Sequence, residues 1–110
     1  MNLSMEKIKD VIVMQIKEER LDAHNSPELK VEMQRLFEEG NKQLLIDLKD
    51  VRFIDSSGLG ALVSGFKNAT TYQGDLRLCS LQPQVKSMFE LTRLHRVFEI
   101  FASPAEALEG

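Results

Sequence analysis

The sequence predicts a single α/β domain over residues 1–110, a mixed sheet of four to five strands covered by about four helices. Three observations predict it. Apolar runs of strand length alternate with segments whose apolar residues recur at helical spacing. Two strand-like segments stand side by side at the start with only a turn between them, which makes an otherwise right-handed, parallel arrangement mixed. The length of 110 residues, 43% hydrophobic and 28% charged, suits one ordinary folded domain, and no linker, repeat or low-complexity segment divides it.

Taken in order, Met5 to Lys9 and Val11 to Ile16 read as two strands around a turn near Asp10, the second too apolar to alternate and so interior. Ser26-Pro27 reads as an N-cap followed by proline at the first helical position. Leu29, Met33, Leu36 and Phe37 form the apolar stripe of that helix, and Gly40 terminates it. Leu44-Leu45-Ile46-Asp47-Leu48 has the near-continuous apolarity of a strand buried on both faces. Val51, Phe53 and Ile54 then lead into Asp55-Ser56-Ser57-Gly58-Leu59-Gly60. From Ser56 the period becomes helical, with Leu59, Leu62, Val63 and Phe66 on one face and an end before Gly74. Leu76 to Leu81 resumes a strand. Pro83 opens a short helix with Val85, Met88, Phe89 and Leu91 facing inward, Val97 to Phe101 returns as a last strand, and Ser103-Pro104-Ala105-Glu106 is a capping box for a terminal helix.

Composition narrows the function. The net charge of -3, from 17 acidic and 14 basic residues with the basic ones scattered, offers no footprint for nucleic acid. A single cysteine, Cys79, excludes an internal disulfide and is expected in or near the core. With only His24 and His95 beside it there is no spacing for a structural metal, and no cofactor is expected. Charged residues interrupt the first ten positions, and no stretch approaches the ~18 apolar residues that span a bilayer. The expectation is a cytoplasmic protein without membrane insertion.

Chemistry concentrates at residues 55–60. Asp55 or Ser56 can cap the first free amides of the helix, and Gly58 and Gly60 strip side chains from its start, inviting close approach. The Ser57 hydroxyl would project at a helix N-terminus, where free amides and the helix dipole favour negative charge, so a phosphate can sit there without unfolding the helix. An ordinary N-cap with spare hydroxyls fits the same residues. Asp22 sits at a strand-to-helix connection and serves turn chemistry or partner contact equally well. A Ser57-His24-Asp22 triad exists on paper, but the Gly-x-Ser-x-Gly elbow of a hydrolase is missing, so no catalytic residue is assigned. Gly58-Leu59-Gly60 lacks the Lys-Ser/Thr of a phosphate-binding loop. Asp47 reads as a hydrogen-bonded structural acid, and Arg93, His95 and Arg96 as a solvated turn.

The stretch Phe53-Ile54-Asp55-Ser56-Ser57-Gly58-Leu59-Gly60-Ala61-Leu62 resembles the signature of STAS-domain anti-sigma-factor antagonists, and Leu21-Asp22-Ala23-His24-Asn25-Ser26 resembles that family's second landmark loop. The element order is similar over essentially the whole chain. The resemblance implies the STAS fold, the Asp22 loop beside the Ser57 loop, and phosphorylation of Ser57, the serine before the motif glycine. The kinase would be a GHKL-type serine kinase that is also an anti-sigma factor. Unphosphorylated, the chain would bind that kinase through Asp22, Asp55, Ser56, Ser57, Gly58, Leu59 and Gly60 and release the sigma factor, and a PP2C-type phosphatase would reset it. It would be a binding module and not an enzyme. The alternative is a constitutive STAS scaffold, or the accessory subunit of a sensory complex or membrane transporter.

Overall fold

In the computed structural model, which describes residues 1–109, the chain opens with a hairpin. Strand β1 (Leu3–Ile8) pairs antiparallel with β2 (Val11–Ile16), Ile8 opposite Val11, and Lys9 in the turn takes φ 56°, the left-handed conformation that two-residue hairpins favour. Then follow β3 (Arg20–Leu21), α1 (Ser26–Glu38), β4 (Gln43–Asp47), β5 (Phe53–Ile54), α2 (Ser56–Thr71) and β6 (Asp75–Cys79). The rest is α3 (Pro83–Leu91), a 3-10 turn at Leu94–Arg96, β7 (Ile100–Phe101) and α4 (Pro104–Glu109). Five strands form the main sheet in the order β1-β2-β4-β6-β7, parallel except for the first pair, as the sequence predicts.

Side-chain alternation gives the sheet two unequal faces. On one, Ile12, Met14, Ile16, Leu44, Ile46, Leu76 and Leu78 are buried beneath the Leu29, Met33, Leu36 and Phe37 stripe of α1, Leu59 and Leu62 of α2, and Val85 and Phe89 of α3. On the other, Val11, Leu45 and Cys79 are covered by Ala107 of α4, whose carbonyl accepts a 3.0 Å hydrogen bond from the Arg77 guanidinium. The interior place of β2, the burial of β4 on both faces and the core position of Cys79 match their apolarity. Asp47, 4% exposed, accepts the Lys49 N–H at 3.0 Å, so burial leaves its carboxylate partnered.

Four local expectations need correction. Helix α1 is capped at Asn25, not Ser26. Ser26 is its first helical residue, buried, with its N–H on the Asp22 carbonyl at 2.8 Å, so the turn from Asp22 closes one residue earlier than the serine-proline pair suggests. Leu91 is 78% exposed, because two residues beyond Phe89 is about 200° around the helix and points away from the core. Only Ile100 and Phe101 of the last apolar run form a strand; the 3-10 turn before it leaves Val97 exposed and Phe98 buried against Phe66 and Phe89. A second sheet, the two-stranded ribbon of β3 and β5, is absent from the sequence expectation.

Candidate functional site

That ribbon positions the serine motif. β3 and β5 run parallel with Arg20 opposite Phe53 and Leu21 opposite Ile54. The Arg52 N–H donates to the Glu19 carbonyl at 2.8 Å and the Asp55 N–H to the Leu21 carbonyl at 3.2 Å. The next residues out of the two strands are Asp22 and Asp55, so both aspartate loops leave the same end of one ribbon. The adjacency implied by the resemblance is present.

Asp55 is the cap of α2. Its backbone is extended (φ -106°, ψ -174°), and its Oδ1 accepts the Gly58 N–H at 3.0 Å while its carbonyl accepts the Leu59 N–H at 3.0 Å. Of the four amides ahead of the first intrahelical bond, Asp55's goes to Leu21 and Gly58's to the Asp55 carboxylate. Those of Ser56 and Ser57 remain, at the positive end of a 16-residue helix. Ser56 is exposed and Ser57 half-buried.

The two glycines of the motif do different things. A Cβ on Gly58 would lie 2.5 Å from the Leu21 carbonyl oxygen and 2.8 Å from Ile54 Cγ1, whereas Gly60 is exposed with nothing within 4 Å of its missing Cβ. Gly58 thus lets the helix start lie directly against β3, where it is buried. Leu59, 5% exposed, belongs to the core. Of the motif, Asp55, Ser56, Ser57 and Gly60 reach the surface, and Gly58 and Leu59 hold it from beneath.

Asp22 braces its own loop. Oδ1 accepts the His24 N–H at 2.9 Å, the Asp22 N–H donates to Asn25 Oδ1 at 3.0 Å, and Oδ2 stands 3.7 Å from Arg20 Nε. The carboxylate is engaged by the His24 backbone and not by its ring, which is exposed, so the triad of Ser57, His24 and Asp22 is not assembled. Arg93, His95 and Arg96 follow the far end of α3, and no hydrogen bond or ion pair among the described residues joins them to the serine loop. Sequence reasoning missed Arg20 and Phe53, whose guanidinium and ring stack at 4.2 Å on the ribbon's outer surface. The available signal was Phe53 itself, an aromatic two residues ahead of Asp55.

Fold and site define a class: an α/β domain with a separate parallel ribbon that delivers an aspartate-capped, serine-bearing helix start to the surface. The chain belongs to the STAS domain family, whose profile matches residues 2–107. It is 25% identical over 109 residues to the anti-sigma F factor antagonist of Paenibacillus polymyxa, covering 98% of this chain and 92% of that protein. It is 35% identical over 82 residues to the anti-sigma-B factor antagonist of Bacillus subtilis, covering 74% of each. The structure of an anti-sigma-factor antagonist (STAS) domain protein from Planctomyces limnophilus superposes with a TM-score of 0.87 at 24% identity, covering 96% of this chain and 94% of that one.

Proposed function

We propose that the chain is an anti-sigma factor antagonist switched by phosphorylation of Ser57. The observation that carries this reading is the helix start itself: Ser57 lies at a surface N-terminus with its own amide and that of Ser56 unengaged, on a frame pinned by Asp55 and Gly58. The names of the similar proteins support the partner class, an anti-sigma factor. In its unphosphorylated form the chain binds an anti-sigma factor that is also a GHKL-type serine kinase, through Asp22, Asp55, Ser56, Ser57 and Gly60 over the framework of Gly58 and Leu59. The sigma factor is thereby released.

In the kinase step the Ser57 Oγ attacks the γ-phosphorus of ATP, the bond to the β-phosphate oxygen breaks, ADP leaves, and the hydroxyl proton passes to the kinase's base. The phosphate adds about -1.5 to -2 charge beside Asp55 and Asp22. The free amides of the helix start tolerate it, so the fold survives, while a partner closely packed on this surface meets bulk and repulsion. A PP2C-type phosphatase removes it with water. The test is site mapping: after incubation with the GHKL-type kinase and ATP, mass spectrometry is expected to find one phosphate, on Ser57, and none in Ser57→Ala. Phosphate on other residues with Ser57 unmodified would overturn the reading.

A further inference from the structure

Beside the serine motif, on the β5 side, runs a groove of about 410 Å³ between the chain leading into α2 and the first turns of α3. Phe53, Ile54 and Met88 give it apolar walls, Gln84 and Arg52 its outer rim, and Asp55 and Ser56 its inner rim. Phe53 is 45% exposed, with the Arg20 guanidinium 4.2 Å over its ring, in a ribbon strand only two residues long. Exposed aromatics next to an adaptable methionine mark contact surfaces. A second depression of about 500 Å³ adjoins it, sharing Arg52, Phe53 and Gln84 and bringing in Arg20. Both arginines pair at long range, Arg20 Nε 3.7 Å from Asp22 and Arg52 Nη1 3.6 Å from Glu19, Arg20 also lying over the Phe53 ring, with both arginine side chains more than 60% exposed. Exposed and only distantly paired, either guanidinium can exchange its intrachain carboxylate for a partner's in a two-pronged bond.

The geometry points to this groove as the anchor for the same anti-sigma factor kinase that reads Ser57: a protruding apolar side chain of the kinase enters between Phe53 and Met88, and an acidic residue next to it pairs with Arg20 or Arg52. The inference rests on the proposed function, and two features select this occupant. The groove is continuous with the serine surface, since Ser56 and Asp55 form its wall, so a protein seated on Ser57 covers it. Its chemistry, apolar walls beside two exposed arginines whose carboxylates Asp22 and Glu19 stand 3.7 and 3.6 Å off, takes an apolar side chain flanked by a carboxylate that replaces one of those partners. Buried aromatic and arginine contacts of this kind carry a disproportionate share of binding energy. The groove does not involve the Ser57 hydroxyl, so it sets affinity and partner choice while Ser57 sets the switch.

The experiment measures binding of the full chain to the purified GHKL-type anti-sigma kinase of its source genome, for the parent and for Phe53→Ser, Met88→Gln, Gln84→Trp, Leu91→Ser and Ser57→Asp. Gln84→Trp fills the groove from an exposed position and removes no core contact, so it stands in should either truncation unfold. Each groove variant is expected to weaken binding about tenfold or more and to raise KM for Ser57 phosphorylation with kcat unchanged, because it removes binding remote from the reacting atoms. Leu91→Ser, which removes the most exposed large hydrophobic side chain among the described residues, 78% exposed, is expected to bind like the parent. Groove variants that bind like the parent while Ser57→Asp loses binding would overturn the groove and leave the switch standing. Leu91→Ser weakening binding as much as the groove variants would also overturn it. Ser57→Asp binding like the parent overturns the switch instead, and a parent chain that binds no such kinase overturns both.

Discussion

Two aspartates leave the same end of one small ribbon and do opposite work. Asp22 and Asp55 each follow a buried aliphatic residue, Leu21 and Ile54, that is its neighbour's register partner. Asp22 turns its carboxylate onto the His24 amide and, with Asn25 bracing it, closes a loop that ends on a buried Ser26. Asp55 turns its carboxylate onto the Gly58 amide and starts a helix at once, leaving Ser56 exposed and Ser57 at its edge. What separates them is the residue three places on. Gly58 has no side chain to hold α2 away from β3, so the helix can begin at the strand end, and its first serines face outward. The lesson is that a steric vacancy beneath the motif, as much as the cap above it, is what presents Ser57.

Breaking that vacancy has the largest expected effect. Gly58→Ala sets a Cβ against the backbone oxygen of Leu21, 2.5 Å away, which cannot swing aside as a side chain would. The loss is expected near 2–3 kcal/mol, read as a lower urea midpoint with unchanged slope. Asp55→Ala removes the cap and is expected to cost about 1 kcal/mol by the same measurement. Gly60→Ala tests the other glycine with the opposite sign. Its site is open and helical, so alanine is expected to add about 0.5–1 kcal/mol, and a destabilised Gly60→Ala would show that the space at Gly60 is not free. Asp22→Ala removes one exposed carboxylate-to-amide bond and is expected to cost only about 0.5 kcal/mol, with its effect on partner binding exceeding its effect on stability.

On the opposite face of the sheet, the core thiol reports on its cover. Cys79 lies fully buried beneath α4, and burial pushes its thiol up to about 11, against the weaker opposing hydrogen bond from Ser80. Because the thiolate is the reactive form, native protein at pH 8 is expected to resist iodoacetamide over hours and to react promptly in urea. Fast native alkylation would mean that α4 opens readily from the sheet.

The sequence carried most of this. Near-continuous apolar runs placed β2 and β4, helical spacing placed α1 and α2 and their buried faces, and the aspartate-serine-glycine run placed the helix start. What escaped was short or tertiary. Strands β3 and β5 have two residues each, too few for any period, and their pairing across more than thirty positions is set by the fold. Ser26 reads as a cap because proline follows it, but the Asp22 carbonyl claims its amide, a contact local pattern does not contain. Gly58 and Gly60 read alike in sequence, and only their surroundings distinguish them. Phe53 and Arg20 meet because the ribbon aligns them, so their stacked pair was invisible beforehand.

In the proposed function one phosphate on Ser57 switches binding while leaving the fold intact. Its most direct test is the affinity of the GHKL-type anti-sigma kinase for the chain quantitatively phosphorylated at Ser57, against the unphosphorylated chain, with circular dichroism on both. A loss of about 100-fold in affinity with unchanged spectra is predicted, from like-charge repulsion and bulk at a closely packed surface. Equal affinity of the two forms would contradict it.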